Sequence, residues 1–160
     1  MSAGVYNIEI EQGGDYALAV TYKDSAGLVF DLSSGYTAQL NIKESYLDTS
    51  AIDSLTTASG EITLTSGIGT SVVGTIAVDA SKSVVTVTIS SGEHGFVAGD
   101  TVTDASVAFY KVQPNISIDI GHGTTAAYDF SQAFYDIELS QATTNAKVLR
   151  GKVNLVRELN

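Results

Sequence analysis

Few residues in this chain have the type and spacing to do chemistry. The two histidines are His94 and His122, and four carboxylates, Asp119, Asp129, Asp136 and Glu138, fall within twenty residues. A histidine can act as a base or bind a metal when a second group orients or completes its site. His94 lies in a glycine-rich turn motif that explains it structurally, and any partner would have to come from far away in sequence. His122, in "DIGHGTT", is flanked by glycines that could cradle an anion, but no lysine follows, and it reads as a loop histidine. The carboxylates could supply paired acid–base work or a calcium site. Asp136 and Glu138, however, alternate with Tyr135, Ile137 and Leu139, the pattern of a strand with one solvated face.

Tyr46, Asp48, Thr49 and Ser50 form a polar-aromatic group suited to stacking on a sugar, although aromatic residues beside strand ends also cap cores. The chain has no cysteine, which removes thiol nucleophiles and thiolate metal sites. It also lacks the G-x-S-x-G, H-E-x-x-H, P-loop and dinucleotide fingerprints. No catalytic residue, metal site or cofactor is therefore expected, and the protein reads as a non-enzyme.

The elements that must position these side chains are strands. Apolar residues alternate with polar ones at Ile8 and Ile10, at Tyr16, Leu18, Val20 and Tyr22, at Ala38, Leu40 and Ile42, and at Ile62 and Leu64. The same period recurs at Ile76 and Val78, at Val85, Val87 and Ile89, at Ile116, Ile118 and Ile120, at Tyr135, Ile137 and Leu139, and at Val153 and Leu155. About ten short strands predict a sandwich or barrel. Helical spacing is confined to "TTAAYDFS", Thr124 to Ser131, and to a turn around Tyr46 to Ala51, both too short to stand alone. "KDSAG" and "DLSSGY" punctuate the stretch from Tyr22 to Ser45 as two tight turns, with Gly27 and Gly35 placed for positive φ.

Composition narrows the partners. Eighteen acidic residues against eight basic ones give a net charge of −10, which repels phosphate backbones and makes nucleic acid an unsuitable partner. No basic segment precedes an apolar run at the start, and no run of about eighteen apolar residues occurs, so neither a signal peptide nor a membrane span is expected. That composition predicts a soluble protein made in a cytoplasm. Four of the eight basic residues, Lys147, Arg150, Lys152 and Arg157, fall in "KVLRGKVNLVREL", a candidate strip for meeting an acidic neighbour or for neutralising nearby carboxylates.

The order "IEQGGDYALAVTYKDSAGLVFDLSSGYTAQLNIKES", then "GEITLTS", then "AFYDIELSQATTNAKVLRGKVNLV" resembles small β-sandwich proteins from the structural modules of tailed bacteriophages. The N-terminal domain of upper baseplate proteins of phages infecting Gram-positive hosts is similar. In simpler members of that group a strand like "ISIDI" follows the "GEITLTS" strand closely, whereas here residues 67–114 intervene, which reads as an insertion. Within it, "VVTVTISSGEHGFVAGDTVTDASVAFYKV" resembles a second phage element, a β-hairpin module with an HG-x3-GD turn, matched by His94, Gly95, Phe96, Gly99, Asp100 and Val102.

The resulting expectation is an all-β, Ig-like antiparallel β-sandwich with a small inserted β lobe and at most short helical turns. Residues 1–66 with 115–160 form the docking sandwich, and residues 67–114 the barrel-like lobe. The resemblance implies a virion structural protein of the tail or baseplate, present in many copies in a symmetric assembly and docking on other virion proteins and on copies of itself. Two alternatives stay open: a carbohydrate-binding adhesion module using Tyr46, Tyr110 and Tyr128 as stacking residues, and an Ig-like capsid decoration protein.

Overall fold

The structure is a computed structural model that describes the backbone of residues 3–79, 84–89 and 108–157 and the side chains within 3–69 and 112–157. Its strands are β1 (Gly4–Val5), β2 (Ile8–Glu11), β3 (Tyr16–Val20), β4 (Thr37–Lys43), β5 (Asp53–Thr56), β6 (Ile62–Leu64), β7 (Ile68–Asp79), β8 (Val84–Ile89), β9 (Ala108–Val112), β10 (Ile116–Ile120), β11 (Gln132–Gln141) and β12 (Thr144–Val156). One short helix, α1, spans His122–Ala126. The chain divides into two compact units, Met1–Ser66 with Pro114–Asn160, and Gly67–Gln113.

The first unit is an all-β sandwich. One sheet runs β1–β12–β11–β4–β5 with β2 also on β12, and the other runs β3–β10–β6. The alternation read from the sequence decides which side chains enter the core. Ala38, Leu40 and Ile42 of β4, with Ala133, Tyr135, Ile137 and Leu139 of β11, are buried on the inner face of the large sheet. Ile116, Ile118 and Ile120 of β10 are buried in the same core. Each buried Leu or Ile among them contributes roughly 1.5–3 kcal/mol, so a one-residue slip in any of these strands would expose several at once.

The first strands depart from the expected antiparallel pattern. β1 and β2 both pair parallel with β12, Gly4 opposite Leu149 and Ile8 opposite Val153. Between them the chain steps across Gly151. Tyr6 N–H donates to Arg150 O at 2.9 Å, Tyr135 Oη donates to Tyr6 O at 2.8 Å, and Lys152 N–H donates to Asn7 Oδ1 at 3.0 Å. A Cβ on residue 151 would stand 1.8 Å from Tyr6 O, so this close backbone approach admits only glycine. Local alternation carries no information about such a pairing between the two ends of the fold.

The stretch from Tyr22 to Ser45 is a ladder of turns. Asp24 Oδ1 accepts from the N–H groups of Ala26 and Leu28 at 2.8 and 2.9 Å, and Asp31 Oδ1 accepts from Ser33 N–H at 2.9 Å. Gly35 has φ 77°, the left-handed region its turn requires. The ladder is tied to the core by Asn115, whose side chain is fully buried. Its Nδ2 donates to Tyr22 O at 2.9 Å and to Phe30 O at 2.7 Å, and its Oδ1 accepts from Tyr22 N–H at 2.7 Å. The primary amide thus bonds to both strands of the hairpin.

Helix α1 starts earlier and ends sooner than the "TTAAYDFS" expectation. Buried Thr125 fixes it by donating from Oγ1 to Gly14 O at 2.7 Å and to His122 O at 3.0 Å. Tyr128 and Phe130 then leave the helix to enter the core. The segment from Tyr46 to Ala51 forms turns without a helix.

In the second unit β7 lies between β8 and β9 and pairs antiparallel with both, with a register shift between Ile68 and Ser71. His94, Gly95, Phe96, Gly99, Asp100 and Val102, the residues of the hairpin-module resemblance, lie outside the described residues.

Leu64 faces Ile116 across the β6–β10 ladder, and Thr65 N–H donates to Asn115 O at 3.0 Å, so the two ends of the insertion stand side by side in the first unit. Replacing residues 67–113 by a short Gly/Ser turn is expected to leave a sandwich that unfolds in one cooperative urea transition, because closure cost changes slowly with loop length. A broad, non-cooperative transition would show that the insertion is part of the core. Gly151→Ala is expected to lower stability by about 3 kcal/mol through overpacking against Tyr6. A urea midpoint equal to that of the parent would disprove the crossing.

Candidate functional site

The outer face of the large sheet carries the chain's densest group of chemically useful side chains among the described residues. β11 contributes Phe134 and Asp136, and β4 contributes Asn41 and Lys43, which face them across the ladder: Lys43 opposite Phe134 and Asn41 opposite Asp136. β12 contributes Lys147 and Arg150. Three positions apart, these two would point to opposite faces of a regular strand. A bulge brings them together, since Glu138 pairs with Lys147 and Ile137 with Leu149, leaving Val148 as the extra residue. Arg150 then stands opposite Asp136, and Lys152 opposite Phe134.

A tight turn folds Tyr46 back over this face. Asp48 Oδ2 accepts from Ser45 N–H at 2.8 Å, Asp48 N–H donates to Ser45 O at 3.1 Å, and Lys43 Nζ donates to Asp48 O at 3.0 Å. The Tyr46 ring lies 4.5 Å from the Phe134 ring, centroid to centroid, at 42°. Tyr46 remains 53% exposed. Between these groups is a cavity of about 380 Å³ lined by Asn41, Lys43, Tyr46, Phe134, Tyr135, Asp136, Lys147 and Arg150.

The electrostatics of the cavity are cationic on an acidic protein. Lys147 Nζ donates to Asp136 Oδ2 at 2.5 Å, and that hydrogen bond raises the Lys147 ammonium above its ordinary value. Lys43 is engaged with a backbone carbonyl, so Asp136 is the lone carboxylate among three basic side chains lining the cavity. The Arg150 guanidinium makes no hydrogen bond or ion pair among the described residues. Asn41 Oδ1 accepts from Gln39 Nε2 and Ser54 Oγ, both at 3.0 Å, which fixes the amide and directs its Nδ2 donors elsewhere.

The structure separates the candidates that the sequence grouped. Of the basic strip, Lys147 and Arg150 line the cavity and Lys152 continues the same face, but Arg157 lies past β12 and pairs with Asp129 at 2.9 Å. Of the two stacking tyrosines whose side chains are described, Tyr46 presents an open ring. Tyr128 is 4% exposed, packs 5.3 Å from Phe130 and donates to Asp53 Oδ2 at 2.6 Å, so it is a core residue and offers no ring face to a sugar. The side chain of Tyr110, in β9 of the second unit, lies outside the described residues.

His122 is exposed at the start of α1, its N–H donating to Asp15 Oδ1 at 2.7 Å and its ring 3.3 Å from the same oxygen. Asp119, Asp129, Asp136 and Glu138 do not converge, and no group of three or more metal-ligating side chains occurs among the described residues. Phe134, Asn41 and Lys43 were missed in sequence. Phe134 carried a signal, an aromatic residue on the polar phase of "AFYDIEL".

No family model matches the chain, and neither a curated protein nor a solved structure shows significant similarity to it.

The buried phenols generate a pH prediction. Tyr128 and Tyr135 both titrate well above the usual tyrosine range, chiefly because burial disfavours the phenolate; for Tyr128 the hydrogen bond to Asp53 adds to this. The unfolded chain releases those protons near pH 10, so stability is fully present below about pH 10 and falls as pH rises beyond it. Urea unfolding between about pH 8 and 11 should show this decline, with a shallower slope in Tyr128→Phe. An identical slope in that variant would remove Tyr128 as its source.

Proposed function

We propose that this chain is a non-enzymatic structural component of a tailed bacteriophage particle, in the tail or baseplate, that works by docking on other virion proteins and on copies of itself. The observation that carries the reading is the row Lys147, Arg150 and Lys152 on one sheet face of a chain with net charge −10. The row stands beside Asp136 and Glu138 of β11 and Lys147 is paired with Asp136, so Arg150 and Lys152 are the cations offered to the acidic surface of a neighbour, and many copies make weak contacts additive. The resemblance of the strand order and turn residues to phage β-sandwich proteins supports the same reading.

Arg150→Glu combined with Lys152→Glu should leave the isolated protein folded, because both side chains lie on the outer face, yet reduce its incorporation into particles. High salt should mimic that loss during reconstitution. Mass spectrometry of purified virions measures incorporation, and normal incorporation of the folded double variant would refute the docking face. Absence of the parent protein from purified particles would refute the virion role itself.

A second reading, a carbohydrate-binding module that contacts the host surface, is favoured by the open Tyr46 ring over the cavity. Binding to a glycan array that disappears in Tyr46→Ala would support it.

A further inference from the structure

We infer that the cavity between β4, β11 and β12 binds a sugar ring that carries a carboxylate. The inference rests on the carbohydrate reading and specifies its ligand.

The volume sets the size of the occupant. At about 380 Å³ the cavity is near the small end of the roughly 300–1,000 Å³ typical of small-molecule sites, suited to one ring rather than to a length of polypeptide. One wall is aromatic: Tyr46 packs on Phe134 and remains 53% exposed, leaving ring surface for the C–H face of a sugar.

The polar atoms left free by the protein define the rest. Arg150 brings a fork of N–H donors that has no partner among the described residues and matches a carboxylate in two parallel bonds. Lys147 is ion-paired with Asp136, so the charge that the cavity offers at that end is the Arg150 guanidinium. Asn41 has its Oδ1 occupied, which leaves Nδ2 as a donor, while Asp136 has Oδ2 on Lys147, which leaves Oδ1 as an acceptor. A hydroxyl both donates and accepts, so a wall offering one group of each kind suits a hydroxylated ring. An acidic peptide side chain has only acceptors to offer and would leave the Asp136 oxygen facing another carboxylate. The combination of ring, fork, donor and acceptor therefore selects a uronate over a neutral sugar and over a lone acidic side chain.

The test is titration of the full chain with glucuronate, glucose and a short polyglutamate peptide, followed by calorimetry and by NMR shifts at β4, β11 and β12. Glucuronate should bind at least about tenfold more tightly than glucose, and Arg150→Gln should abolish that preference while leaving the thermal midpoint unchanged. Tyr46→Ala should weaken both sugars. If glucose and glucuronate bind equally, the carboxylate assignment is overturned while the carbohydrate reading survives. If neither sugar binds, both fall. Tighter binding of polyglutamate than of glucuronate overturns the inference and makes the cavity a socket for an acidic partner.

Discussion

The side-chain amide of Asn115 is the interaction on which the first unit most depends. The hairpin closes on itself, with Phe30 N–H donating to Tyr22 O at 3.0 Å and Asp24 N–H to Leu28 O at 2.8 Å, and it is Asn115 that ties it to the sheet. Asn115 supplies an amide of the same chemistry as a peptide group, giving Tyr22 both a donor and an acceptor and giving Phe30 a donor. Its own backbone continues the sheet, N–H to Val20 O and O from Thr65 N–H. One residue therefore joins the turn ladder, strand β10 and the point where the chain leaves for the insertion. No shorter, longer or charged side chain provides the same set of bonds.

From that anchored frame the outer face of the large sheet follows with little freedom. β11 is held on both sides, by β4 and by β12, and its inner residues are buried throughout. The outer residues of three strands are thereby fixed in rows, and the bulge at Val148 brings Lys147 onto the face that Arg150 and Lys152 already share. Tyr46 is held over this surface by the turn that Asp48 closes, by its ring on Phe134 and by its hydroxyl on Gly151 O. The aromatic and cationic character of the cavity is thus a product of strand register more than of any sequence motif.

The strands were readable because a period of two needs no knowledge of partners: Ile116, Ile118 and Ile120 point inward wherever β10 sits. Partner identity was not readable in the same way. Nothing local to Gly4 and Val5 says that they lie beside Leu149 and Arg150, and the small residue at 151 explains itself only once Tyr6 is seen above it. The cavity was half legible. Lys147, Arg150 and Tyr46 stood out by type, but the bulge that puts the first two on one face is a property of the pairing. Tyr128 and Tyr46 were alike by type, and only packing, Tyr128 against Phe130 with its hydroxyl on Asp53, distinguishes a core phenol from an exposed one. The helix was misplaced because Thr125 is held by Gly14, a contact across more than a hundred residues of chain.

The parallel pairing of β1 and β2 with β12 also determines how the sandwich answers to force. Tension applied before β1 and after β12 pulls two neighbouring parallel strands in opposite directions along their length. The hydrogen bonds between them, together with those from Tyr6 to Arg150 and from Tyr135 to Tyr6, are then loaded side by side in shear and must fail together. An antiparallel arrangement of the same terminal strands, pulled at one end, would open one bond at a time like a zip. The step over Gly151 thus makes this small unit a mechanical clamp, with its resistance concentrated where the first and last strands of the fold meet.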